Sequence, residues 1–292
     1  MFHIVTDTPA NLPTSFLRRE QITLIPFTFH SGNAEESCPD LAAFDAKAFY
    51  ARIRSGEKLT TSQIPPQRFV EEFTPILARG EDILFVSLSS GVSGSYASSC
   101  IAAEQLKEEF PERRIFLFDS FGASLGEGLF ALYAAHFRAQ GLDAEKTYEK
   151  LVELRPRMAQ IFTVGDLRHL KRTGRLSNLE AAVGTVLQIK PLLVGNPEGK
   201  IVTFSKLRGR RRAIEAIAKL YDERVWKPEE QIIGLSHADC LEDAQLLVSM
   251  LRNGAHPPKD IWLVDHEPVT GTHVGPEMLA LFFLADADVR KL

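Results

Sequence analysis

A chain of 292 residues has room for one large or two ordinary domains, and 45% hydrophobic with 25% charged residues are soluble-globular proportions. The net charge of −4 gives no global attraction to nucleic acid or membrane, no apolar run reaches transmembrane length, and residues 1–7 lack the basic start of a signal peptide. Three scattered cysteines, Cys38, Cys100 and Cys240, have no metal-ligand spacing and point to free thiols in a reducing compartment, so a cytoplasmic location is expected.

Through residue 150 or so, short apolar strands alternate with helical patterns. Strand candidates at 3–6, 22–28, 83–88 and 115–118 predict a mostly parallel sheet flanked by helices. Between the second and third comes a helix around 44–53, then Leu59-Thr60-Thr61-Ser62-Gln63-Ile64-Pro65-Pro66. The two prolines forbid a continuing helix, so this stretch reads as a stiff loop carrying Thr61, Ser62 and Gln63.

The run Ser89-Ser90-Gly91-Val92-Ser93-Gly94-Ser95 stands between the apolar strand and a helix expected over 96–110. In a strand-turn-helix unit the first helix amides point unpaired into the turn, where the helix dipole adds partial positive charge. A phosphate or carboxylate has donors there, and Gly91 and Gly94 allow close approach. The same residue types also simply cap helices and close turns. Neither a G-x-x-x-x-G-K-[ST] loop nor a G-x-G-x-x-G fingerprint occurs, which removes the main support for nucleotide hydrolysis. Gly91-Val92-Ser93-Gly94-Ser95 ends in Ser where a G-x-S-x-G elbow needs Gly, so Ser93 reads as a hydrogen-bond donor. Asp119-Ser120 closes the next strand, and Ser124-Leu125-Gly126-Glu127-Gly128 leads into an apolar helix over 129–137, its small residues predicting close packing. Asp7, Ser93 and Asp119 then fall at the carboxyl ends of strands, where open α/β sheets bind ligands.

A helix over 144–155 runs into a strand candidate at 157–164, which places the boundary between two domains, 1–155 and 156–292. The second half carries Leu167-Arg168-His169-Leu170-Lys171-Arg172-Thr173-Gly174-Arg175-Leu176-Ser177, a helix over 179–186, and five more basic side chains over 206–212. Such clusters suit phosphates, nucleic acid or an acidic protein surface, and equally a solvated helix face. Strands at 232–236 and 261–264, with a helix over 241–252 between them, make this half α/β as well. Gly271-Thr272-His273-Val274-Gly275-Pro276-Glu277 reads as a glycine-punctuated turn before a helix over 278–284. His273 is a candidate anion ligand or proton-transfer group, or a structural histidine, and the other histidines form no metal set.

Together these segments resemble the DegV family of fatty-acid-binding proteins, in order and over nearly the whole chain. The resemblance rests on Val5-Thr6-Asp7-Thr8, Thr61-Ser62-Gln63, the serine run through Tyr96, Asp119-Ser120, Leu170 to Ser177, Lys190-Pro191-Leu192-Leu193 and Gly271 to Pro276. It implies two α/β domains clasping one long-chain fatty acid buried between them, with no metal or other cofactor. Thr61 and Ser93 would hold the carboxylate, with Ser62, Gly94 and His273 also contacting the ligand. The implied role is that of an acyl-binding subunit without its own catalytic residues. It would present the carboxylate to a separate ATP-binding kinase subunit for acyl-phosphate formation, with Arg172 and Arg208 facing that partner or the phosphate. No nucleic acid is expected as a partner, and any membrane contact would be transient and at the surface. Against the family pattern, Thr8 keeps a hydroxyl, Thr173 replaces a glycine of the basic motif, and Glu277 stands where a glycine is usual. Two other readings stay open, an acyl hydrolase using Ser93 with His273 as base, and a module binding a phosphorylated metabolite through the basic clusters.

Overall fold

The computed structural model describes residues 2–176, 189–286 and 289–291, so the helix expected over 179–186 lies outside the described residues. The chain divides into two compact units, Met1–Phe44 with Lys58–Arg155, and Asp45–Glu57 with Pro156–Leu292. Chain order assigns the helix near residue 50 to the first half, but its contacts place it in the second unit. There the Tyr50 hydroxyl donates to the carbonyl of His266 at 2.8 Å.

In the first unit, β1 (Phe2–Asp7) leads through α1 (Thr14–Arg19) to β2 (Thr23–Ile25). The single strand expected over 22–28 is divided at Pro26, which has no N–H for the ladder. The chain leaves the parallel sheet there and forms β3 (Thr28–Ser31) and β4 (Ala34–Ser37). After α2 (Ala46–Arg54) of the second unit come β5 (Leu59–Ser62), α3 (Pro66–Ala78), β6 (Asp82–Ser87), α4 (Ser95–Glu109), β7 (Ile115–Asp119), α5 (Leu125–Ala139) and α6 (Ala144–Leu154).

The strands form a parallel sheet ordered β2-β1-β6-β7 and a small antiparallel sheet ordered β4-β3-β5. Strand alternation sends successive side chains to opposite faces. Phe85 therefore meets Phe69 and Phe73 of α3, with ring centroids 5.2 and 5.9 Å away. Phe118, in register with Val86, points the other way and meets Phe130 of α5 at 4.9 Å. Helices thus flank the parallel sheet on both faces.

The stretch expected to be a stiff loop is corrected: Thr61 and Ser62 lie on β5, where Thr61 pairs with Phe29 and Ser62 with Thr28. β-branched residues at 60 and 61 suit a strand, and Pro65 and Pro66 open α3, where a missing N–H carries no penalty.

The second unit is built on a mixed sheet of β8 (Met158–Thr163), β9 (Ile189–Gly195), β10 (Ile201–Arg208), β11 (Ile232–His237), β12 (Asp260–Asp265) and β13 (Leu279–Leu284), ordered β10-β9-β8-β13-β11-β12. Among the described residues its helices are α2, α7 (Arg168–Arg172), α8 (Arg210–Arg224), α9 (Leu241–Arg252) and α10 (Pro268–Val274). Ile161, Leu235, Leu281 and Phe283 face Ile214, Ile217 and Tyr221 of α8 and Leu247 and Leu251 of α9 in one core.

Two expectations are reversed here. Residues 279–284 form an interior strand, because a short run buried on both faces has no periodicity to tell helix from strand. The segment before it is helix α10, started by Glu267 as cap and Pro268 in the first turn, so His273 sits on a helix rather than in a turn.

The expected close packing of the small residues before 129–137 is realised at Gly128, where an added Cβ would lie 2.3 Å from the carbonyl oxygen of Ala10. The gain in helix propensity from Gly128→Ala, about 1 kcal/mol, is outweighed by displacement of backbone. The expected result is a net loss of about 1 to 3 kcal/mol in a urea-unfolding experiment, and a stabilised variant would contradict this packing.

Candidate functional site

The parallel order β2-β1-β6-β7 has a topological switch point, because the chain passes from β1 outward to β2 on one side and from β6 outward to β7 on the other. A crevice at the carboxyl ends of β1 and β6 is the usual ligand position in such a sheet. The serine turn starts from that end of β6.

Its amides, however, are occupied from within. Leu88 N donates to Asp7 Oδ2 at 3.2 Å and Ser90 N to Asp119 Oδ1 at 3.2 Å, so the terminal aspartates of both neighbouring strands reach the connection after β6. Ser89 N donates to the carbonyl of Gly122 at 2.9 Å, Gly91 N to Ser89 Oγ at 3.0 Å, and Val92 N and Ser93 N to the carbonyl of Ser89. The amides of residues 88–93 are thus taken by Asp7, Asp119, Gly122 and Ser89 and are closed to an anion, which leaves the expected cradle to the helix amides and the hydroxyls. Donors at the turn are its hydroxyls and the first amides of α4, whose first intrahelical bond is Ser98 N to the carbonyl of Gly94.

Ser93 Oγ accepts Ser95 N at 3.2 Å and donates to Ser95 Oγ at 3.2 Å, the turn-closing role open to any serine. Ser95 Oγ in turn accepts Ile64 N at 3.0 Å. A Cβ on Gly94 would meet Gln63 Oε1 at 2.0 Å, so the Gln63 amide lies directly over the glycine, and its Nε2 donates to Ser98 Oγ at 3.3 Å. The residues after β5 are thereby fastened to the serine turn. Alternation along β5 separates Thr61 from Ser62: Thr61 shares its face with buried Leu59, whereas exposed Ser62 meets His30 Nε2 at 2.7 Å.

One motif was passed over in the sequence reading. Gly122-Ala123-Ser124-Leu125-Gly126 fits G-x-S-x-G, and Ser124 has the strained backbone of an elbow, with φ 54° and ψ −144°. Ser124 is 1% exposed and accepts Asn11 Nδ2 at 3.1 Å, so it braces two loops and is closed to a substrate.

In the second unit His273 lies on α10, which packs on α7. Burial of the ring, with Arg175 and Arg172 adding to it, pushes His273 down to about 3. The ring is neutral at physiological pH, suited to hydrogen bonding and poorly matched to general-base work. Arg172 and Arg208 are both exposed, Arg208 at the end of the edge strand β10. The basic clusters are partly compensated: Arg168 pairs with Asp166 at 2.5 Å, Arg210 with Asp243 at 2.7 Å and Arg211 with Glu215 at 2.9 Å. Glu277 takes a left-handed φ of 64°, the conformation that a glycine there would adopt freely.

Glu267, also overlooked, is fully buried and accepts Val269 N at 2.6 Å and Thr270 N at 2.7 Å. Its signal was the Glu-Pro pair, a helix start. Burial pushes Glu267 up to about 7, its hydrogen bonds opposing, and pushes neighbouring His266 down to about 3.

A helix-flanked parallel sheet with a hydroxyl-lined turn at its switch point, followed by a unit on a mixed sheet, defines a two-unit α/β architecture. The chain belongs to the DegV family, whose family model, described as an uncharacterised protein, matches residues 1–286. A DegV domain-containing protein of Clostridium perfringens is 38% identical over 286 residues, 98% of each chain. The crystal structure of DegV from Bacillus subtilis, described as a fatty acid binding protein, matches with a TM-score of 0.83 at 29% identity, covering 98% of this chain and 99% of that one. A Thermus thermophilus DegV family protein, described by its fatty acid binding, matches with a TM-score of 0.86 at 25% identity, covering 97% and 99%. Among the described residues no helix is long and apolar enough to cross a membrane.

The histidines set an acid response. His266 and His273 titrate near 3 in the folded chain and near 6.5 when unfolded, so the unfolded chain takes up protons first on acidification. Their stabilisation is complete above about pH 6.5 and is lost toward pH 3, each at up to about 1.4 kcal/mol per pH unit. Glu267 acts oppositely, its contribution being full below 4.5 and lost as pH rises through about 7. Unfolding free energy measured from pH 7 to 4 is expected to fall less steeply in His273→Gln than in the parent. Parallel curves would show that His273 titrates normally.

Proposed function

We propose that this protein binds one long-chain fatty acid, its carboxylate held by Thr61 and Ser93, and presents it to a separate ATP-dependent kinase subunit for acyl-phosphate formation. The observation that carries the reading is the serine turn itself. With the amides of residues 88–93 already accepted, it offers hydroxyls and the first amides of α4 at a switch-point crevice, and neutral donors can satisfy a carboxylate removed from water. The fatty acid binding described for the Bacillus and Thermus relatives supports the choice of ligand.

Of the two β5 hydroxyls, Thr61 is assigned to the carboxylate because it shares the buried face of Leu59, and Ser62 is assigned a supporting place beside His30. Gly94 admits Gln63 and the ligand head to the turn. For His273 the reading keeps hydrogen bonding and drops proton transfer. Exposed Arg172 and Arg208 are assigned to the kinase partner or the transferred phosphate. Most of the affinity would come from the tail, since about 16 carbons at roughly 0.8 kcal/mol per methylene offer up to about 12 kcal/mol before ordering losses.

Calorimetric titration with hexadecanoic acid tests these roles. Ser93→Ala and Thr61→Val are each expected to weaken binding by about 1 to 3 kcal/mol, and full affinity in both would remove them from the site. Arg172→Ala and Arg208→Ala are expected to bind fatty acid as the parent does and to impair its phosphorylation by a partner kinase. Weakened lipid binding in those two variants would refute this division of labour.

A further inference from the structure

The two strand-end aspartates do more than brace the turn. Asp7 is fully buried and Asp119 is 6% exposed, and each places a carboxylate oxygen 3.2 Å from an amide of the connection that ends in Ser93. Asp119 Oδ1 also accepts Phe121 N at 3.1 Å, and the whole turn is fixed from beneath by Ser120 Oγ donating to the carbonyl of Ser87 at 2.6 Å. A phosphate-binding turn works in the opposite way, with successive free amides converging on the anion. Here two of the amides, Leu88 N and Ser90 N, point at acidic side chains and the others are taken by carbonyls and Ser89 Oγ.

We propose that Asp7 and Asp119 are the head-group selectivity residues of the serine turn, admitting a singly charged carboxylate and rejecting a doubly charged phosphate monoester. Two features act together. The amides from 88 to 93 are withdrawn as donors, so a head group there is met by the hydroxyls and the first amides of α4 alone. The carboxylates that take the Leu88 and Ser90 amides also repel an anion in proportion to its charge, so a dianion is penalised about twice as much as a monoanion. Arg155 offsets part of this at Asp119, since it donates to the Asp119 carbonyl at 3.0 Å and its guanidinium lies 4.2 Å from the Phe121 ring. The inference rests on the carboxylate site proposed above. It adds that a fatty acid, once phosphorylated, would lose its hold on the turn.

The test is calorimetric binding of hexadecanoic acid and of hexadecyl phosphate, both at pH 8 where the phosphate is a dianion, to the parent, Asp7→Asn and Asp119→Asn. Asparagine keeps an acceptor oxygen for each amide and removes the charge. The parent is expected to prefer the fatty acid by at least about tenfold. Each variant is expected to close that ratio by about threefold, chiefly through tighter phosphate binding. Should the fully buried Asp7→Asn fail to fold in a thermal melt, Asp119→Asn decides alone. An unchanged ratio in the folded variants, or a parent that prefers the phosphate, would overturn the selectivity role while leaving fatty acid binding intact. Failure of the fatty acid to bind parent and variants alike would instead remove the carboxylate site and this inference with it.

Discussion

Two carboxylates reaching sideways from the ends of β1 and β7 to the backbone of the strand between them hold the functional end of the first unit together. Without an acceptor, the amide of Leu88 would be unpaired at the mouth of a buried strand, which is costly in an apolar surrounding. With them, the turn after β6 is closed by its own bonds, Ser93 has a defined place, and the residues after β5 can dock on Gly94 and Ser95. The chemistry left to the turn follows from the same fact. With residues 88–93 complete, a ligand at the turn is met by hydroxyls and by the first amides of α4.

The second unit meets its requirements by different means. Its mixed sheet buries an interior strand of six apolar residues, and α10 begins where Glu267 satisfies two backbone amides with a fully buried carboxyl. Charge is scarce inside: the rings of His266 and His273 are held neutral, and the nearby cations Arg172 and Arg175 favour that state for His273. A neutral imidazole beside exposed arginines suits recognition of a head group and a phosphate better than it suits acid-base catalysis. That distinction weighs against the hydrolase reading without any appeal to similarity.

Much of this was legible from residue pattern. The apolar strands at 83–88 and 115–118 emerged almost as read, and the helix over 241–252 emerged at the stated bounds, since a buried parallel strand and an amphipathic helix have distinct signatures. Residues 279–284 misled because Leu279 to Leu284 are buried on both faces, which erases the period-two signal. Thr61 was misplaced in a loop because the prolines that follow it read as stiffeners, when they open a helix. The fate of the turn amides could not be read from sequence at all. That Asp7, 81 residues from Leu88, accepts its N–H depends on which strands become neighbours. The G-x-S-x-G at 122–126 shows the converse, a motif whose backbone shape is present but whose serine is sealed against Asn11.

A fatty acid held by this chain would be released by organic extraction of the purified protein and identified by mass spectrometry of the extract. About one equivalent of a long-chain fatty acid per chain is expected, retained through purification because tail burial supplies most of the affinity. An extract without fatty acid, from a protein that also fails to take up added fatty acids, would contradict it and return the exposed arginines to first consideration.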